Sequence, residues 1–132
     1  MATRSFIAKK NPTTGRYTAI YCHWDGYPEG VGVTLRDHYK TDEKIRHLLN
    51  LGDISSLDET VGATEVNSYK TRGDKDDEVA AKTFEFYWDM IEYYRKMGCE
   101  YGYVWRGISW ECYNLDPVSV DLYALTKETA NV

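Results

Sequence analysis

The chain has 132 residues, 42% hydrophobic and 28% charged, with 16 Lys plus Arg against 21 Asp plus Glu and a net charge of −5. These figures fit one compact domain spanning 1–132, exclude a disordered chain, and exclude nonspecific binding to a nucleic-acid backbone, which draws on surplus positive charge. No run approaches the ~18 apolar residues of a membrane span and the N-terminus has no apolar secretory core, so no membrane association and a cytoplasmic location are expected.

Residues 5–10 and 16–24 read as two strands around the turn cluster Asn11-Pro12-Thr13-Thr14-Gly15, a β-hairpin. In the second strand Tyr17, Ala19, Tyr21 and His23 share one face and Thr18, Ile20, Cys22 and Trp24 the other, so both faces carry apolar bulk and the strand is not an edge. A turn-rich stretch from Asp25 to Gly32 then hands over to a short helix at 33–39. Thr41 followed by Asp42 and Glu43 is an N-cap with acid in the first turn, and Ile45, Leu48, Leu49 and Leu51 form a helical stripe that stops at Gly52.

From 53 to 76 periodicity fades into Ser, Thr, Gly and charge, the pattern of a variable or mobile loop, with room for a short strand at 64–69. The apolar spacing of Ala80, Phe84, Tyr87, Ile91 and Tyr94 predicts one long helix over 77–97, ended by Gly98 and packed across the sheet. Residues 101–105 and 108–113 form a second, aromatic hairpin, and 118–125 is an apolar tail that fits a strand or a short helix. The expected fold is therefore α+β: a four- to five-stranded, mostly antiparallel sheet from two hairpins, packed against one long helix and shorter helices.

The densest grouping of chemistry is Tyr21-Cys22-His23-Trp24-Asp25-Gly26-Tyr27-Pro28-Glu29-Gly30-Val31-Gly32, where a strand runs out into a glycine-rich turn before a helix. Such a turn can present N–H groups to an anion, with His23 or Asp25 beside it, although the glycine spacing matches neither a Walker A nor a dinucleotide motif. The competing reading is a shaped turn, with Pro28 stiffening the bend, Asp25 capping and Trp24 in the core. Cys22 and His23 are neighbours on a strand and point to opposite faces, which argues against a nucleophile–base pair. Cys22, Cys99 and Cys112 are odd in number and unpaired in spacing, so free thiols are expected, and the scattered His23, His38 and His47 point to no metal and no cofactor. Tyr101, Tyr103 and Trp105 with Trp110 can stack bases, but the blander reading is a sheet face covered by the long helix.

The Thr3-Arg4-Ser5 start, the YxHWDGYPxGxG block and the stretch Tyr69-Lys70-Thr71-Arg72-Gly73-Asp74 resemble a family of small proteins of bacteriophages, prophages and gut bacteria. The resemblance implies a phage or mobile-element origin and a bacterial host cell, and it carries no catalytic residue across. The expected function is that of an accessory or anti-defence protein that binds a host protein or sequesters a small, anionic, nucleotide-like ligand. The alternative is a small enzyme acting on such a ligand at the His23 to Gly32 loop. The residues expected at the binding site are Arg4, His23, Trp24, Asp25, Tyr27, Glu29, Gly30 and Gly32, and the aromatic-rich, acidic surface is compatible with a homo-oligomer.

Overall fold

The computed structural model describes residues 2–115; the apolar stretch at 118–125 lies outside them. The first turn is made by Asn11, whose Oδ1 accepts the N–H groups of Thr13 and Thr14 while Gly15, at φ +74°, closes it. That turn sets the register of β1 (Arg4–Lys10) against β2 (Tyr17–Cys22), antiparallel, with Lys10 opposite Tyr17 and Ser5 opposite Cys22. β3 (Lys82–Phe84) adds antiparallel to β2, and β4 (Cys99–Trp105) pairs with β5 (Trp110–Asn114) as the second hairpin. β4 lies parallel to β1, giving one five-stranded sheet in the order β3-β2-β1-β4-β5. The α+β class and the mostly antiparallel sheet follow from these pairings.

Strand alternation divides the core in two. On one face Ile7, Ile20, Cys22, Tyr103, Trp105 and Trp110 pack against α1 (Val33–His38) and α2 (Asp42–Asn50) through Leu35, Tyr39, Ile45, Leu48 and Leu49. Thr41 caps α2 by accepting the Lys44 N–H, and Gly52, at φ +75°, follows its end. On the other face Phe6, Ala8, Ala19, Tyr21, Val104 and Tyr113 pack against Met90, Ile91 and Tyr94 of α5 (Tyr87–Lys96). Gly102 leaves room for Phe6, since a Cβ there would fall 2.1 Å from the Phe6 ring, and Phe6 stacks on Tyr94 with ring centroids 4.9 Å apart.

Three sequence expectations are corrected. The helix expected over 77–97 is divided into α4 (Asp76–Val79), β3 and α5. Thr83 and Phe84 are strong strand formers, and β2 offers them an edge opposite Thr18 and Tyr17, so the apolar spacing that fits a helix is spent partly on a strand. The Tyr101, Tyr103 and Trp105 face is covered by α1 and α2, because Tyr103 lies opposite Ile7, whose side chain faces those helices. Residues 64–69 hold the end of α3 (Val61–Glu65) and a single bridge from Ser68 to Ile54, which itself bridges to Cys22. Asp53, Ile54, Ser55, Thr64 and Ser68 are buried.

Candidate functional site

β2 hands over to the 23–32 loop through two main-chain bonds, His23 N–H to Ile54 O at 3.2 Å and Trp24 N–H to Ser55 O at 2.8 Å. Asp25 then takes φ +57°, a left-handed conformation that Asp tolerates better than most side chains. It holds the turn from both ends: its carbonyl accepts the Val31 N–H at 2.9 Å, and its Oδ1 accepts the Tyr27 hydroxyl at 3.1 Å. The same bond raises the Tyr27 phenol above its usual pKa. Gly26 is tied to the sheet on two sides, donating to Thr3 O at 2.8 Å and accepting from the Tyr103 hydroxyl at 2.7 Å. Pro28–Gly32 forms one π-helical turn that runs straight into α1. Gly30 is required in that turn, since a Cβ would fall 2.4 Å from Asp25 O.

These bonds decide what the loop can do. The N–H of Gly26 is spent on Thr3 and that of Gly30 on Tyr27, Gly32 is buried, and α1 is six residues long, so the glycines shape the loop and do not cradle an anion. What the loop presents is side chains: Trp24 is 47% exposed and Tyr27 38%, and Glu29 also faces solvent. Trp24, read from sequence as core in the structural alternative, sits at the surface, with its ring against the edge of His23 at 4.7 Å and 90°.

Arg4 and His23 belong to the other side of this region, on the α5 face. Ser5 opposite Cys22 is the last pair of the β1–β2 ladder, and the Arg4 charge reaches Tyr21, the hydrogen-bond partner of His23. Arg4 Nη1 donates to Met97 O at 3.0 Å and so caps the C-terminal end of α5, beside Gly98 at φ +88°. The Tyr21 hydroxyl lies 2.7 Å from His23 Nδ1; burial pushes the Tyr21 phenol up to about 12 although the Arg4 charge opposes the shift. This hydrogen bond occupies His23 Nδ1.

Sequence reasoning passed over Asp53. It is 9% exposed, its Oδ1 accepts the Tyr21 N–H at 2.9 Å, and it fills the place on the β2 edge between β3 and the Ile54 bridge. Burial raises its carboxyl to about 6, against the pull of the Tyr21 N–H and of Lys82. Its position in an irregular Ser-rich stretch offered no periodic signal; only the pairing of Ile54 with Cys22 places it. Close by, Tyr94 is 1% exposed and its hydroxyl has no hydrogen-bond partner among the described residues.

Cys22 faces α1 and α2, and burial pushes its thiol up to about 12, so it carries no thiolate at neutral pH. Cys99 and Cys112 are buried as well, and neither forms a disulfide among the described residues. A surface cleft of about 470 Å³ runs past Gly98, Cys99, Glu100 and Leu115; it contains none of the site residues expected from sequence. The structure thus divides those residues into an exposed loop (Trp24, Asp25, Tyr27 and Glu29), two glycines that shape the turn (Gly30 and Gly32), and a pair on the α5 face (Arg4 and His23). No protein-family model, curated protein or solved structure matches the chain.

Proposed function

We propose that the chain is a binding protein of phage or mobile-element origin that acts against a host defence by holding a host protein on the 23–27 loop. The observation that carries this reading is a pair of exposed aromatic side chains, Trp24 and Tyr27, on a backbone already fixed by bonds to Thr3, Ser55 and Tyr103. Trp and Tyr dominate binding energy at protein interfaces, and a loop that is ordered beforehand loses little entropy on association. Sequestration of a small anionic ligand is the second reading, favoured by the Arg4 charge, which acts on Tyr21, the hydrogen-bond partner of His23. An enzyme at the same loop is the weaker alternative, because Cys22 is protonated and faces away and His23 Nδ1 is taken by Tyr21.

Capture from bacterial host lysate on immobilised protein, with mass spectrometry of bound proteins and of released small molecules, tests the reading. Wild type should retain one host protein that Tyr27→Ala loses while keeping the wild-type melting transition. Retention of the same protein by Tyr27→Ala and Trp24→Ala, or a loss of binding that tracks a loss of stability, would sink it.

A further inference from the structure

Outside the 23–27 loop, the largest apolar side chains left in water lie on α5. Met90, Ile91 and Tyr94 seat that helix on the sheet. Its outward side carries Phe86 at 63% exposure and Trp88 at 60%, with Asp89, Glu92, Tyr93 and Lys96 also exposed. Phe86 stands at the N-cap and makes no capping bond, in a place where Ser, Thr, Asp or Asn would satisfy a helix N–H. Single exposed apolar residues are ordinary on a protein surface, whereas a grouped set marks an interface.

Helix spacing groups these residues. Positions 86, 89, 93 and 96 follow one another at steps of three, four and three, which puts Phe86, Asp89, Tyr93 and Lys96 in one row along the helix and Trp88 with Glu92 in the next. Phe84 of β3 widens the row, its ring 5.5 Å from that of Tyr93. Glu92 pairs with Lys96 at 3.2 Å, while Asp89 is in no ion pair among the described residues.

The charges select the occupant of this face. Glu85, Asp89 and Glu92 come first along α5, and Arg95 and Lys96 come last. That order suits the helix dipole, but the dipole asks for no exposed aromatic rings on the same face. A parallel copy of the helix would set like charge beside like, whereas an antiparallel copy sets the acidic half against the basic end. With a two-fold axis level with Ile91, the row meets itself reversed. Phe86 then faces Lys96 of the second copy, a cation against a ring, and Asp89 faces Tyr93 of the second copy, a carboxylate against a phenol hydroxyl. These are the alternating layers of an antiparallel helix pair.

We propose that two copies of this chain associate through α5, antiparallel about a two-fold axis, each covering Phe86 and Tyr93 of the other. The contact uses the same face on both copies and so closes at the dimer. Ten residues of helix span about 15 Å, which places the contact among small, transient interfaces with micromolar dissociation constants. Nothing in it draws on the 23–27 loop.

Sedimentation velocity of the full chain, from about 5 to about 500 μM, tests the proposal, and wild type should pass from monomer to dimer across that range. Phe86→Ser removes the ring and installs a residue that caps the helix, so it should melt no lower than wild type while dimerising at least tenfold more weakly. Direction is read from cysteines: Phe86→Cys and Lys96→Cys chains, mixed and air-oxidised, should give the mixed disulfide, since each position lies about 15 Å along the axis from its own counterpart. The two homodimers in place of the mixed product would overturn the antiparallel arrangement. A chain that stays monomeric to the top of the range, or Phe86→Ser associating like wild type, would overturn the proposal. A monomer whose capture of a host protein is lost in Phe86→Ser would overturn it too and assign the face to that partner.

Discussion

The two faces of the sheet are built from the same strands and differ in how their large side chains treat polar atoms. On the α1 and α2 face the large side chains carry their polar ends to partners: Tyr103 to Gly26 O, Trp105 Nε1 to Asp42 Oδ1 at 2.7 Å, Trp110 Nε1 to Tyr39 O at 2.8 Å, and the Tyr39 hydroxyl to Asp58 O at 2.8 Å. On the α5 face Tyr94 buries a hydroxyl with no partner among the described residues, Asp53 buries a carboxyl that titrates near 6, and Arg4, Tyr21 and His23 crowd the end of the ladder. Buried polar groups left incompletely matched cost stability, and such costs gather where a protein has a use for them. The first face is a scaffold that anchors the loop from below through Tyr103; the second carries the Tyr21–His23 pair at its end.

The comparison breaks first if Trp110 is dispensable. Its replacement by Ala should cost about 3–5 kcal/mol, read from denaturant unfolding, since it removes a buried ring and strands Tyr39 O. A loss under about 1 kcal/mol would remove the scaffold role.

Asp53 gives the next effect, and its sign is specific. The folded carboxyl keeps its proton up to a pKa of about 6, above the usual 3.8, so its stabilising protonation is complete below the unfolded value and is lost as pH rises toward and past 6. The loss amounts to roughly 2–3 kcal/mol in all. Asp53→Asn keeps an acceptor for the Tyr21 N–H and removes that loss. The variant should be more stable than wild type at pH 7.5 and nearly equal to it at pH 4, by thermal melts across that range. Identical pH profiles would show that Asp53 is solvated and that the contrast between the faces is overstated.

The sharpest contrast pairs two single-oxygen deletions. Tyr103→Phe strands the buried Gly26 carbonyl and should cost roughly 1–3 kcal/mol, whereas Tyr94→Phe removes a hydroxyl that has no partner and should be neutral or stabilising by up to about 1 kcal/mol. Equal costs, measured by urea unfolding, would mean that the two faces treat polar atoms alike.

The parts of this arrangement that could be read from sequence are those set by local chemistry. The Asn11 turn, the Thr41 cap and the stops at Gly52 and Gly98 each act within a few residues, and the structure has all four. The first hairpin was equally legible. The parallel pairing of β1 with β4, the capture of Thr83 and Phe84 by the β2 edge, and the Ile54 bridge that delivers Asp53 and Ser55 are all long-range contacts. No periodicity encodes them. Trp24, core only in the competing reading, is exposed for a related reason: strand alternation points it toward the α1 face, but β2 ends at Cys22, two residues earlier.

The central claim, that the exposed rings of the 23–27 loop bind while the scaffold beneath them folds, is tested most directly by the double variant Trp24→Ala/Tyr27→Ala. Thermal unfolding and affinity for the captured host protein are measured on the same samples. The account predicts a stability within about 0.5 kcal/mol of wild type and an affinity lower by at least about a hundredfold, as expected when two aromatic anchors are removed. Wild-type affinity in the double variant, or a fall in stability that accounts for the lost binding, would contradict it.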